Sequence, residues 1–188
     1  MTKILSIVDD FHPSPHLLVD NLLKSQFSDQ KGPDGHIYKN ISLFPTDELV
    51  QLASVAVSKP IVSRLSFFRI DLQDDVHPMV CHSDEICAEH AAILYLNTDD
   101  LCQGGTAFFK HRLFGMDYLP TSKKSIFMAD DFKNEEDWIQ TNFVAMKFNR
   151  FVTYPTKMFH SRSPRRGFGN NRYNGRLIWV WFYDIVGS

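Results

Sequence analysis

Three residues of this chain have the types and spacing to hold one metal ion: His82 and Asp84, two apart, and His160 far downstream. On an extended backbone, side chains two residues apart point to the same face. Their Cα atoms then lie about 6.6 Å apart, because a strand rises about 3.3 Å per residue. An imidazole and a carboxylate at that spacing can converge on one ion. Two histidines and one carboxylate on one side of an iron(II) ion leave coordination positions open for substrate and O₂. A His-x-Asp triplet alone occurs by chance in many proteins. His77, His90 and His111 compete with His160 for the third position, but only His160 shortly precedes the strand-like run that begins at Arg176.

These residues sit in a chain of 188 residues, long enough for one domain with a full core. Hydrophobic residues make up 44% and aromatics 13%, with sixteen Phe, which is a globular composition. A net charge of −2 exerts no general pull toward nucleic acid or an anionic membrane surface. Cys81, Cys87 and Cys102 are odd in number and form no C-x-x-C, which argues against a disulfide framework or a zinc ribbon. The apolar run at 4–8 is too short for a secretory signal and no stretch approaches a membrane span, so a cytoplasmic setting is expected.

The elements that must position the site are legible in outline. Residues 4–8 read as a strand, and Pro13 and Pro15 introduce a helix to about Phe27 with Leu17, Leu18, Leu22 and Leu23 at helical spacing. Residues 28–45, with Gly32-Pro33-Asp34-Gly35, read as a loop, and residues 46–57 as a second helix. Short β-like runs follow at 62–72, 79–82, 91–97, 106–109, 143–148, 151–154 and 176–185. Residues 110–142 are too long for a turn and read as an insertion or lid, with a short helix near 135–140 and Phe114, Tyr118, Phe132 and Trp138 as candidate substrate wall. A single domain is expected, with residues 1–60 supporting a jelly-roll core at 61–185.

The last run tests that picture. Arg176, Ile178, Val180 and Phe182 fall on one face and Leu177, Trp179, Trp181 and Tyr183 on the other, so the strand should be buried on both sides. The aromatic face is expected to pack on the N-terminal helices and the other to face the barrel interior. An inward Arg176 then calls for a carboxylate, from the protein or from a ligand. Gly104-Gly105 reads as a tight turn or bulge, not a phosphate cradle, because no helix follows. Cys81 and His82 should point to opposite faces and so form no pair.

HSDE at 82–85, AAILYLN at 91–97, GGTAFF at 104–109, His160 after FVTYPTKMF, and GRLIWVWFY at 175–183 follow one another in a telling order. That order resembles the motifs of the iron(II)/2-oxoglutarate-dependent oxygenases. The likeness is greatest to their prolyl-hydroxylase-like branch and its small bacterial and phage relatives of unassigned substrate. It covers about residues 61–185, and SIVDDFHPSPHLL at 6–18 is similar to the family's opening strand and helix. The resemblance implies a double-stranded β-helix, a mainly β fold backed by N-terminal helices. It implies His82, Asp84 and His160 as iron ligands, Arg176 as the partner of the distal carboxylate of 2-oxoglutarate, and Tyr95 as a hydroxyl donor to that carboxylate. It also implies a dioxygenase, a hydroxylase that turns 2-oxoglutarate and O₂ into succinate and CO₂ while oxidising a protein side chain or small metabolite. Arg176 follows His160 by a longer interval than the family commonly shows, the extra length falling in SPRRGFGNNRYN at 163–174.

The residues themselves also admit a cupin-type metal barrel without oxygenase activity, or a binding module without a metal. Tyr95 in a strand would ordinarily be core. Arg162, Arg165, Arg166 and Arg172 crowd the loop after His160; they are either an ordinary solvated loop or contacts to an acidic substrate group or to nucleic-acid phosphates.

Overall fold

The structure, a computed structural model, describes residues 5–32, 37–77, 79–120 and 132–187. Among the described residues it is mainly β, with ten strands and two α-helices. Strand β1 (Ser6–Val8) leads to α1 (Pro15–Leu23), β2 (Ser28–Lys31), β3 (Ile37–Ser42) and α2 (Asp47–Val57). Then come β4 (Ile61–Asp71), β5 (His90–Tyr95), β6 (Gly105–His111), β7 (Trp138–Ala145), β8 (Phe151–Pro155), β9 (His160–Ser163) and β10 (Arg176–Ile185).

Seven strands form one antiparallel sheet in the order β1-β8-β5-β10-β4-β3-β2, and three form a second in the order β7-β6-β9. From β4 onward the chain divides between the two, with β4, β5, β8 and β10 in the large sheet and β6, β7 and β9 in the small one, and a lone bridge between His82 and His160 adds the His82 segment beside β9. This is a jelly-roll-like arrangement of two facing sheets.

Strand β10 shows why the sheets pack as they do. Trp179 and Trp181 are fully buried, their rings stack 5.6 Å apart, and they lie in a core with Leu22 of α1 and Leu49 and Ala53 of α2. Each indole N–H donates to a serine of β4, Trp179 to Ser66 at 2.7 Å and Trp181 to Ser63 at 2.9 Å. A ring of this kind buries on the order of 150–250 Å² and carries the packing energy of this face. The opposite face puts Ile178 and Phe182 in a second core with Tyr95, Phe108 and Tyr154, between the two sheets. The two-sided burial expected of residues 176–185 is what the fold contains.

Pro15 starts α1 with its φ already set, and Asp47 and Glu48 place negative charge at the positive end of α2. Four expectations are corrected. Residues 28–45 are not a plain loop: β2 and β3 form a hairpin that extends the large sheet. The run 79–82 is no regular strand but one bridge at His82. The run at 143–148 begins earlier, at Trp138, so β7 takes the end of the expected insertion, and the helix near 135–140 is a single 3-10 turn, Glu135–Asp137.

Of that insertion, residues 121–131 lie outside the described residues. Leu119, Phe132 and Trp138 pack with Val80, Cys81, Phe109 and Phe159, on the side of β6 opposite Phe108. The insertion thus covers the outer face of the small sheet. Gly104 holds φ +71°, and a Cβ there would come within 1.8 Å of the Ser163 carbonyl oxygen, so the turn between the sheets requires glycine.

Candidate metal centre

Two backbone hydrogen bonds set the site before any side chain acts. The His82 N–H donates to the His160 carbonyl at 2.9 Å, and the His160 N–H donates to the His82 carbonyl at 3.0 Å. Two positions far apart in sequence are thereby fixed side by side. The Asp84 N–H donates to the Thr156 carbonyl at 2.9 Å, which anchors the carboxylate to the end of β8. Cys81, next in line, turns into the outer cluster, away from the site, as alternation requires.

One donor atom from each of His82, Asp84 and His160 lies within 4.8 Å of the other two. Asp84 Oδ1 is 3.5 Å from His82 Nε2, and Asp84 Oδ2 is 3.1 Å from His160 Nε2. His160 is nearly buried, at 4% side-chain exposure, while His82 and Asp84 keep 24% and 23%, so the cluster has an open side. Tyr154 and Phe108, at ring distances of 4.7 and 6.3 Å, hold the His160 imidazole from the inner core.

The protonation pattern decides what this cluster wants. His160 Nδ1 faces the Met158 carbonyl oxygen at 2.8 Å, and a carbonyl can only accept, so Nδ1 carries the hydrogen. In the neutral ring Nε2 is then a bare lone pair aimed at a carboxylate. Two acceptors at that distance require a cation between them, a proton or a metal ion. Burial, aided by the neighbouring His160, His77 and Arg69, pulls the His82 pKa down to about 3 although Asp84 opposes it; the ring stays neutral at physiological pH. Burial raises the Asp84 carboxyl, but the neighbouring His82 and His160 outweigh it and hold it at about 2. Neutral imidazoles and an ionised carboxylate are the forms that ligate a divalent ion, and a nitrogen–oxygen set without thiolate suits iron(II).

Beside this cluster lies a second polar centre. Asp71, the last residue of β4, is 1% exposed and meets three guanidinium groups. Arg69 Nε is 2.7 Å and Arg162 Nη1 2.6 Å from its Oδ1, and Arg176 Nη1 donates to Oδ2 at 3.1 Å. The carboxylate anticipated for the inward Arg176 is therefore supplied by the protein. Burial pushes the Asp71 carboxyl up, but the three arginines outweigh it and keep it ionised. Even so, Arg176 Nε, Arg162 Nη1 and Arg69 Nε are buried and not aligned for a hydrogen bond among the described residues. The group carries three positive charges against one negative.

Tyr95 faces the same interior. Its hydroxyl is 2.6 Å from the Thr106 hydroxyl, and Arg176 lies over its ring at 5.7 Å. Arg162 turns inward to Asp71, whereas Arg165 pairs with Glu135 at the surface, Arg166 is exposed, and Arg172 donates to the Leu23 carbonyl at 3.2 Å. Of the rival histidines, His90 stacks on Tyr183 and His111 on Phe114. His77 comes nearer, stacked on His82 at 4.8 Å, with burial lowering its pKa. Sequence reading missed Asp71 and Arg69; their alternation in FFRID, which puts both on one face of β4, was the available signal.

A model of a protein family, described as a family of unknown function (DUF6445), matches residues 58–183. The chain belongs to that family. The matched segment contains every residue of both polar centres. No curated protein matches the chain.

Several solved structures share the fold. HygX from Streptomyces hygroscopicus, with nickel and 2-oxoglutarate bound, superposes with a TM-score of 0.55 at 10% identity, covering 99% of this chain and 84% of its own. The non-heme alpha-ketoglutarate-dependent epimerase SnoN from nogalamycin biosynthesis gives 0.54 at 12% identity, covering 95% and 76%. A prolyl hydroxylase from Trichoplax adhaerens, in complex with a peptide fragment of the hypoxia inducible factor oxygen degradation domain, gives 0.52 at 13% identity, covering 96% and 83%. At such identities the likeness is one of fold, shared with a 2-oxoglutarate-bound protein, an alpha-ketoglutarate-dependent epimerase and a prolyl hydroxylase.

Proposed function

We propose that this chain is an iron(II)- and 2-oxoglutarate-dependent dioxygenase of the hydroxylase type, acting on a protein side chain or a small metabolite. The observation that carries this reading is the pairing of two opposite needs. Three convergent donors require a cation, and a buried arginine group beside them requires an anion. The division of the strands from β4 onward between two facing antiparallel sheets supports reading the core as a double-stranded β-helix. The free Cys81, Cys87 and Cys102 fit a reducing, cytoplasmic setting, and no helix among the described residues is long and apolar enough to cross a membrane.

In this reading His82, Asp84 and His160 hold the iron. The bond from His160 Nδ1–H to the Met158 carbonyl fixes the ring so that Nε2 faces the ion. Bound iron(II) supplies the redox chemistry that couples O₂ to decarboxylation of the keto acid, giving succinate and CO₂. Arg176 takes the distal carboxylate of 2-oxoglutarate; Asp71 occupies one of its Nη1 donors and leaves Nε for the ligand. Tyr95, placed against Arg176, offers its hydroxyl to the same carboxylate. Arg162, with Arg165 and Arg166 on the loop beyond it, faces the substrate.

The test is anaerobic addition of iron(II) and 2-oxoglutarate, read as a metal-to-ligand charge-transfer band. His82→Ala should abolish the band. Arg176→Ala should keep the iron but raise the 2-oxoglutarate concentration needed by about tenfold or more, the worth of a lost charged hydrogen bond. Iron binding with no response to 2-oxoglutarate would sink the reading in favour of a cupin-type metal barrel.

A further inference from the structure

We propose that Arg162, with Arg69 behind it, binds an oxyanion of the substrate, so that the substrate is an acid oxidised close to its acidic group. This rests on the oxygenase reading above and deepens it. The charge count is the starting point. Arg69, Arg162 and Arg176 face Asp71, the one carboxylate among them. Asp75, whose backbone carbonyl accepts from Arg162, turns its carboxylate elsewhere: it accepts from the Leu72 N–H at 3.0 Å and pairs with Lys39 at 3.5 Å. Two positive charges are therefore unmatched, and the distal carboxylate of 2-oxoglutarate matches only one. Buried guanidinium without a counter-charge is costly, so the remaining one marks a second anion position.

Geometry selects Arg162 for that position. Its other donors go to neutral acceptors: Nε to the Arg165 carbonyl at 2.8 Å and Nη2 to the Asp75 carbonyl. Its Nη1 is buried and not aligned on Asp71. On β9 it lies two residues beyond His160, so both side chains leave the same face of the strand. Their Cα atoms are about 6.6 Å apart at strand rise. Pairing of Arg162 with Thr106, whose hydroxyl meets Tyr95, confirms that this face looks inward. His160 and Arg162 thus reach into the same interior from one face of β9.

The experiment uses the whole protein with iron(II) and saturating 2-oxoglutarate, without O₂ and at constant ionic strength. Propionate and methylphosphonate serve as carboxylate and phosphate-type probes, with propionamide as the neutral isostere, and the charge-transfer band is the readout. The expected result is a saturable shift of the band by one or both oxyanions and none by propionamide. Arg162→Gln should weaken that oxyanion at least about tenfold more than it weakens 2-oxoglutarate, and Arg162→Lys should restore part of the response. Should the Gln variant not fold, the wild-type titration and the Lys variant decide. The inference is overturned if neither oxyanion shifts the band, if propionamide shifts it equally, or if the probes abolish it by displacing 2-oxoglutarate. It is also overturned if Arg162→Gln weakens both ligands alike. A wild-type protein that gives no band before any probe is added fails the oxygenase reading itself, and the inference falls with it.

Discussion

The two polar centres of this molecule are neighbours with opposite deficits. His82, Asp84 and His160 bring lone pairs together, partly open to solvent, and call for a cation. Asp71 and its three arginines bring an excess of positive charge together, buried to within a few per cent at Asp71 and Arg176, and call for further negative charge. The first can be emptied at little expense because water reaches it. The second cannot, because a guanidinium in a dry interior has nothing else to turn to. One centre is built for exchange and the other is part of the core.

That contrast can be broken by stability measurements. Asp71→Asn strips the one carboxylate from three buried cations and should destabilise the fold by about 3–5 kcal/mol in urea unfolding. His82→Ala, which also removes a polar partner, should shift stability by less than about 1 kcal/mol in iron-free protein, because water already reaches the 24% of its side chain that is exposed. A larger loss at His82 than at Asp71 would reverse the comparison. Between the two falls Tyr95→Phe, which deletes a buried hydroxyl bond to Thr106 but keeps the ring under Arg176; about 1 kcal/mol is expected.

The smallest effect tests a surface ion pair against the buried one. Arg150 grips Asp9 through Nε at 2.6 Å and Nη2 at 3.0 Å, joined by Lys147 at 3.0 Å. The Arg150 hydrogen bond, then Lys147, hold the Asp9 carboxyl well below the ordinary range. Its contribution is fully present above the unfolded carboxylate value of about 3.9 and is lost as pH falls through the lower folded value. With the side chain 35% exposed, Asp9→Asn should cost less than about 1 kcal/mol at neutral pH. The difference from the parent should shrink in urea unfolding carried out below about pH 4.

Much of the β core was legible in the sequence because its strands carry their own periodicity. Residues 176–185 announced two buried faces, and the structure puts the tryptophans on the helices and Ile178 and Phe182 inside. His82, Asp84 and His160, read from spacing and ordered motifs, are brought to one point. What was not legible depends on register. Nothing local tells that Asp71 lies opposite Arg176 across β4 and β10, since that pairing is fixed by apolar packing along both strands. The β2–β3 hairpin escaped because SDQK and IYKNIS lack apolar alternation; its outer edge is solvated. Strand β7 was begun too late for the same reason, as Gln140, Thr141 and Asn142 are exposed.

The reciprocal amide bonds between His82 and His160 have a consequence for how the site is loaded. Closing so long a chain segment onto itself is an entropic expense met during folding, by the sheet and its peptide bonds. An ion arriving later finds its donors already gathered, so its binding energy is expressed as affinity and hardly at all as folding. Chelation should therefore yield an empty but folded protein that reloads on mixing. Its two bridge amides should resist deuterium exchange nearly as well without iron as with it.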